Sequence, residues 1–300
     1  MPEMATVALT RLPATSDVYR SAVLGMLPGI GKSGPVRPDA SLPDTVYTVS
    51  NLTTDADQVR AYCSATGLQF GEFLPLTFPF VAQFPLMMQT MVAKAFPFGA
   101  VGSVHLENRI HRLRPISIGE PLSIATHAEK LREHRKGILV DVVSRISVGT
   151  ELVTEQVSTL LSQQRTSLSD GERSAPPKDH RPPAPDVSLA VDLGRIRAYA
   201  GASGDRNPIH MANLTAKAFG FPRAIAHGMW TAAAILGSIE AHLPDDVVYE
   251  AKFGKPILLP AKVNGYVDAV DGSSGTSGYD VSVLNRSKGY PHLTGTLRGA

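Results

Sequence analysis

Three observations predict an α+β protein whose architecture is built twice. Each half of the chain runs in the same order: a short amphipathic helix, a strongly apolar helix, then four strand-like segments. Between the halves, "SLSDGERSAPPKDHRPPAPD" (Ser167–Asp186) is rich in proline, serine and charge and carries no apolar period, as expected of a linker. Short sequences also recur, "AYCSATG" at Ala61–Gly67 against "AYAGASG" at Ala198–Gly204, and "LRPISIGEPL" against "GKPILLPAKV". A buried helix followed by an antiparallel sheet that curls around it is a hot dog. The sequence therefore predicts a double hot-dog fold, each half a long central helix wrapped by a curved antiparallel sheet.

The expected organisation is an N-terminal extension over 1–44, a first unit over 45–165, a linker over 166–186 and a second unit over 187–300. In the first unit, "DQVRAYCSATG" is the short helix and "FVAQFPLMMQTMVAKAF" the central one, interrupted by Pro85. The strands follow in "VGSVHLENRIHRL", "PLSIATHAEKL", "GILVDVVSRISVG" and "ELVTEQVSTLLSQQ". In the second unit, "LGRIRAYAGASG" and "NLTAKAFG" are short helices, and "GMWTAAAILGSIEAH" (Gly228–His242) is apolar on nearly every face, so something must wrap it. Its strands are "VVYEAKFGKPILL", "AKVNGYVDAVD", "GYDVSVLNRS" and "PHLTGTLRG", punctuated by glycine, proline and Asp-Gly turn signals.

Bulk properties narrow the function. With 43% hydrophobic and 19% charged residues, the 300-residue chain can build a real core. A net charge near +2 gives no nucleic-acid surface. The single cysteine, Cys63, excludes an internal disulfide framework, makes a zinc cluster improbable and fits a reducing cytoplasm. No secretory signal is read at the start, and the longest apolar stretch, Met229–Ile239, is too short to span a bilayer. The expected location is the cytoplasm.

Chemistry concentrates in "GASGDRNPIH", Gly201–His210. Asp205 and His210 are a carboxylate and an imidazole in one tight loop, both able to move protons near neutral pH, and Pro208 stiffens the backbone between them. Taken singly, Asp205 and Asn207 could be only a turn residue and a helix cap. The halves differ here. If "LPLT" of the first unit corresponds to "NPIH", that unit has lost the aspartate, the asparagine and the histidine together, as expected when one half performs the chemistry.

"YAGASGDRNPIH" followed by "AHGM" at Ala226–Met229 resembles the hydratase-2 signature of the MaoC-like dehydratases, R-specific enoyl-thioester hydratases on hot-dog folds. "PLTFPF", "LREHRKGILVDVV", "LSQQRTSLS" and "KGYPHLTGTLRG" extend the resemblance to two-domain actinobacterial (3R)-hydroxyacyl-thioester dehydratases, from about residue 45 onward. The resemblance implies a non-catalytic first hot dog and a catalytic second one. It implies that Asp205 and His210 hold the catalytic water, with Asn207 supporting them. Charge growing on the thioester oxygen would then fall to Gly228, at the start of the central helix where backbone N–H groups are unpaired. His227 is assigned a shaping role rather than proton transfer, and His227 and Met229 are the weaker substrate-binding candidates. Neither a metal nor a redox cofactor is expected; the substrate arrives on the phosphopantetheine of coenzyme A or acyl carrier protein. Two fused units could serve as a monomeric pseudo-dimer or form a further homodimer.

Several residues carry two readings. "LREHRKG" (Leu131–Gly137) could meet carrier phosphates or be a solvated hairpin, and Arg109, Arg112 and Arg114 are equally open. Met87, Met88 and Met91 could line an acyl tunnel or pack the core. Two functional rivals stand beside the dehydratase: a hot-dog acyl-thioesterase and a non-catalytic acyl-thioester-binding subunit.

Overall fold

The computed structural model describes residues 4–24, 34–100, 102–170, 181–272 and 275–300. Much of the expected linker thus lies outside the described residues. The N-terminal extension holds a strand, β1 (Ala5–Leu9), and a helix, α1 (Thr15–Leu24). The first unit contains β2 (Thr45–Leu52), α2 (Ala56–Thr66), α3 (Pro79–Val92), β3 (Val104–Arg112), β4 (Leu122–His134), β5 (Gly137–Val148) and β6 (Glu151–Gln163). The second unit begins with β7 (Val187–Val191), α4 (Leu193–Ser203), α5 (Pro208–Met211), α6 (Asn213–Ala218) and α7 (Gly228–Ala234). It ends with β8 (Val247–Phe253), β9 (Ala261–Gly272), β10 (Gly275–Asn285) and β11 (Pro291–Gly299).

All eleven strands form one sheet, ordered β1-β2-β4-β5-β6-β3-β8-β11-β10-β9-β7. The first unit supplies one side and the second the other. They meet where β3 pairs antiparallel with β8, Asn108 opposite Ala251 and Ile110 opposite Tyr249. This is the double hot dog, each half wrapping its own apolar helix. The eight strands read from sequence are all present; β1, β2 and β7 were not read, being short or bordering polar segments. Among the described residues no helix is long and apolar enough to cross a membrane.

The two central helices depart from expectation in opposite ways. Helix α3 continues through Pro85 and is buried along nearly its whole length, because packing on every side compensates for the missing backbone donor. The second unit's helix is shorter than expected: α7 gives way to 3-10 turns at Ile235–Ser238 and Glu240–His242. Gly237 lies in the tightened segment, its backbone so close to the Gly67 carbonyl that a Cβ would sit 3.2 Å from that oxygen.

The arginines and methionines take the structural readings. Arg109 pairs with Glu250 across the junction at 3.6 Å. Arg112 is buried and donates to the carbonyls of Pro244 and Asp245. Arg114 binds Glu120 and Glu151. "LREHRKG" is the β4–β5 hairpin, with Arg132 paired to Asp141 at 3.0 Å. Met87, Met88 and Met91 belong to the core.

Equivalent hydrogen bonds correct the alignment of the two halves. In the first unit Phe73 bridges Ser117, and the Leu74 N–H donates to the Ile116 carbonyl; in the second, Ile225 bridges Leu258 and the Ala226 N–H donates to the Ile257 carbonyl. "LPLT" therefore stands opposite "AHGM", not opposite "NPIH". Pro75 occupies the place of His227 and Leu76 that of Gly228. After the left-handed cap Gly67, the first unit reaches its bridge residue six positions later, at Phe73. After the matching cap Gly204, the second unit takes twenty-one positions to reach Ile225. The first unit did not substitute the Asp-Asn-His loop. It lacks the loop.

Candidate active site

The inserted segment builds the site. Asp192 caps the start of α4 by accepting from the Arg195 N–H, and left-handed Gly204 closes its end. The chain then turns tightly. The Asn207 N–H donates to Asp205 Oδ1 at 3.2 Å, an Asx turn, while the Asn207 side chain caps α5 by accepting from the Ile209 N–H. Pro208 occupies the first position of α5, where a missing N–H costs nothing. Asn207 thus shapes the loop as the cap of α5. Its effect is to leave His210 on the inner side of α5, buried.

The predicted residues converge. Asp205, His210 and His227 each bring one donor atom within 4.8 Å of the others. The two imidazole rings lie against each other, centroids 3.7 Å apart. His210 Nδ1 is 2.8 Å from the Ile225 carbonyl. A carbonyl only accepts, so Nδ1 carries the proton and Nε2 is left as a lone pair. His227 is held in a similar way: Nε2 donates to the backbone carbonyl of Asp205 at 2.9 Å and lies 3.7 Å from Asp205 Oδ2, and its buried Nδ1 has no partner. The Asp205 side chain keeps 18% of its surface exposed against 2% for His227, so the cluster opens on the aspartate side.

Electrostatics favours neutral rings beside an ionised carboxylate. Burial lowers the His210 pKa to about 3, with His227 adding to the effect; burial lowers that of His227 too. Burial alone would raise the pKa of Asp205. The imidazoles of His227 and His210, the Tyr19 hydroxyl and the Asn207 N–H more than offset it and hold the carboxyl below its ordinary value.

Gly228 begins α7, where its N–H has no partner within the helix. Packing gives the glycine a second reason: a Cβ there would fall 2.9 Å from the Phe253 ring. Met229 points into the core, 3% exposed, and is not brought to the open side.

Sequence reasoning missed three contributors. Tyr19 of α1 donates its hydroxyl to Asp205 Oδ1 at 2.5 Å. His105, on β3 of the first unit, lies within electrostatic reach of Asp205, with its ring between Phe80 and Phe253. Tyr199 packs its ring on His227, centroids 4.9 Å apart. Nothing in their local sequence marks the first two, since they come from an extension and from a strand of the other half. Tyr199 lay inside the quoted motif without being singled out.

The MaoC like domain family matches residues 175–289, the stretch containing the whole cluster except Tyr19 and His105. A 3-hydroxyacyl-thioester dehydratase X from Mycobacterium tuberculosis is 45% identical over 291 residues, 97% of this chain and 100% of that protein. The chain belongs to the MaoC-like family. The crystal structure of HtdX from the same organism superposes on this MaoC-like chain with a TM-score of 0.75 and 44% identity, covering 85% of this chain and 100% of the other. A MaoC-like dehydratase from Phytophthora capsici has a TM-score of 0.66 at 17% identity, over 85% of this chain and 94% of that one, a likeness of fold.

Proposed function

We propose that the protein dehydrates (3R)-3-hydroxyacyl thioesters to trans-2-enoyl thioesters and catalyses the reverse hydration. The acyl group is carried by phosphopantetheine, on coenzyme A or acyl carrier protein. One observation carries the reading: an ionised carboxylate and a neutral imidazole, protonated on Nδ1, sit in one small cluster whose aspartate keeps 18% of its side-chain surface exposed. Two hydrogen bonds of ordinary length meeting at one water span roughly 4.6 Å. A span of that order suits side chains that each bring one atom within 4.8 Å of the others.

In hydration that water supplies both new groups. Its oxygen attacks C3 while one of its protons passes to Asp205 or His210 and on to C2; the other acceptor holds the remaining O–H. No acid has to be present beforehand, and no electrons leave the substrate, so the chemistry requires no redox cofactor. Asp205, His210 and His227 are also close enough to surround a cation. We assign them to proton transfer because the His227 Nε2 proton and Asp205 Oδ1 are already committed to hydrogen bonds within the protein. The N–H of Gly228 is assigned to the thioester oxygen as negative charge grows there, a donor worth about 3–4 kcal/mol in a preorganised site. His227 orients the loop through the Asp205 carbonyl. The first unit, without the loop, is assigned the supporting role.

Loss of the enoyl absorbance of crotonyl-CoA and of longer enoyl-CoA thioesters tests this directly. Asp205→Asn and His210→Ala should each lower kcat by roughly 10²–10⁴-fold while remaining folded. Near-normal turnover in both would remove the acid–base pair. Release of free thiol by the wild type, with no change at the double bond, would mean hydrolysis instead.

A further inference from the structure

The N-terminal extension reaches the cluster from outside both hot-dog units. Its helix α1 is seated by Val18, buried in the core, and by Thr15, which lies against Gly204 at the end of α4. Tyr19 then spans 186 positions of sequence to place its hydroxyl on Asp205 Oδ1. That oxygen also accepts the Asn207 N–H, so it holds two donors. Among the described residues Oδ2 has no equally close donor; His227 Nε2 stands 3.7 Å away and is engaged with a carbonyl.

We infer that Tyr19 is a positioning residue: its hydroxyl fixes the rotation of the Asp205 carboxylate so that Oδ2, and not Oδ1, faces the reacting water. The inference rests on the reading of Asp205 as a proton-transfer group. The physical basis is the softness of the torsion involved. The carboxylate of an aspartate turns in a broad, roughly two-fold well, so one backbone donor leaves the two oxygens nearly interchangeable. A second donor on the same oxygen, delivered by a ring packed against the core, removes that freedom. The hydroxyl also favours the ionised carboxylate, since it donates to it. The other titratable groups facing Asp205 are His105 from β3, Tyr199 from α4, His210 from α5 and His227 before α7. Of these five side chains, Tyr19 is the one whose hydroxyl donates to a carboxylate oxygen of Asp205 at hydrogen-bond distance.

The extension is therefore part of the site, and α1 is the arm that carries Tyr19 to it.

The test is Tyr19→Phe in the full chain, which keeps the ring and removes the donor. Its crotonyl-CoA hydration should show kcat lowered on the order of tenfold with KM unchanged, the loss expected for one hydrogen bond to a charged group. The acid limb of the kcat profile should move to higher pH, because the carboxylate loses a donor that stabilises its ionised form. A second readout needs no turnover: with carboxyl-¹³C-labelled aspartate, the Asp205 resonance should titrate at higher pH in the variant than in the wild type. An unchanged kcat together with an unchanged Asp205 titration would overturn the inference, and so would faster turnover, which would mean that α1 obstructs the site. If the wild type hydrates no enoyl thioester yet the Asp205 titration still moves, the positioning stands and the proposed reaction falls.

Discussion

At the scale of single residues, the site depends on histidines kept neutral by burial. The ring of His210 is pinned through Nδ1, its pKa lowered to about 3; that of His105 is lowered to about 4, and that of His227 is also lowered. An unfolded histidine titrates near 6.5. Below that value the unfolded chain binds protons that the folded chain refuses, so stability must fall as the pH drops from about 6.5 toward the folded values. Asp205 works in another window: its lowered pKa adds stability above the unfolded carboxylate range, lost only as the pH falls through its folded value. Thermal unfolding between pH 7.5 and 5 is therefore expected to show a midpoint that declines steadily with acidification. A His210→Asn, His227→Asn, His105→Asn triple variant should show a flatter decline. An equally steep one would mean that these rings are not the groups responsible.

At the scale of elements, the start of α7 couples packing to chemistry. Gly228→Ala would drive a methyl group toward the Phe253 ring from 2.9 Å. Overpacking of this kind costs about 1–3 kcal/mol. Denaturant unfolding should register that loss, and hydration should slow as the helix start shifts away from the thioester. Wild-type stability would show that Phe253 yields freely. The helix order and eight strands were legible because apolar period and turn residues mark them locally. So was the loop, because its polar residues are consecutive in sequence. The alignment of "LPLT" was not: a four-residue likeness cannot distinguish a substituted loop from a missing one, and the paired bonds at Phe73 and Ile225 had to decide it. Tyr19 and His105 were out of reach for a related reason, since their partners lie in other elements distant along the chain.

At the scale of the molecule, the two units share one sheet. The β3–β8 ladder is continuous, Arg109 and Glu250 meet across it, α2 packs on α4 with Gln58 donating to the Ala202 carbonyl, and Trp230 of α7 donates to the Ala65 carbonyl of α2. Calorimetry should accordingly show a single cooperative transition rather than one for each half; two resolved transitions would mean that the junction is weaker than its hydrogen bonding suggests. The same continuity brings His105 of the first unit within electrostatic reach of Asp205 in the second. A unit without the loop thus still contributes to the wall of the site.

Whether one solvent molecule is activated between two acceptors can be read from a complex of full-length Asp205→Asn with a 3-hydroxyacyl thioester. The hydroxyl oxygen is predicted to lie within hydrogen-bonding distance of residue 205 and of His210 Nε2, with the thioester oxygen on the Gly228 N–H. A ligand whose hydroxyl lies outside that cluster, or whose thioester binds against the first unit, would contradict the assignment.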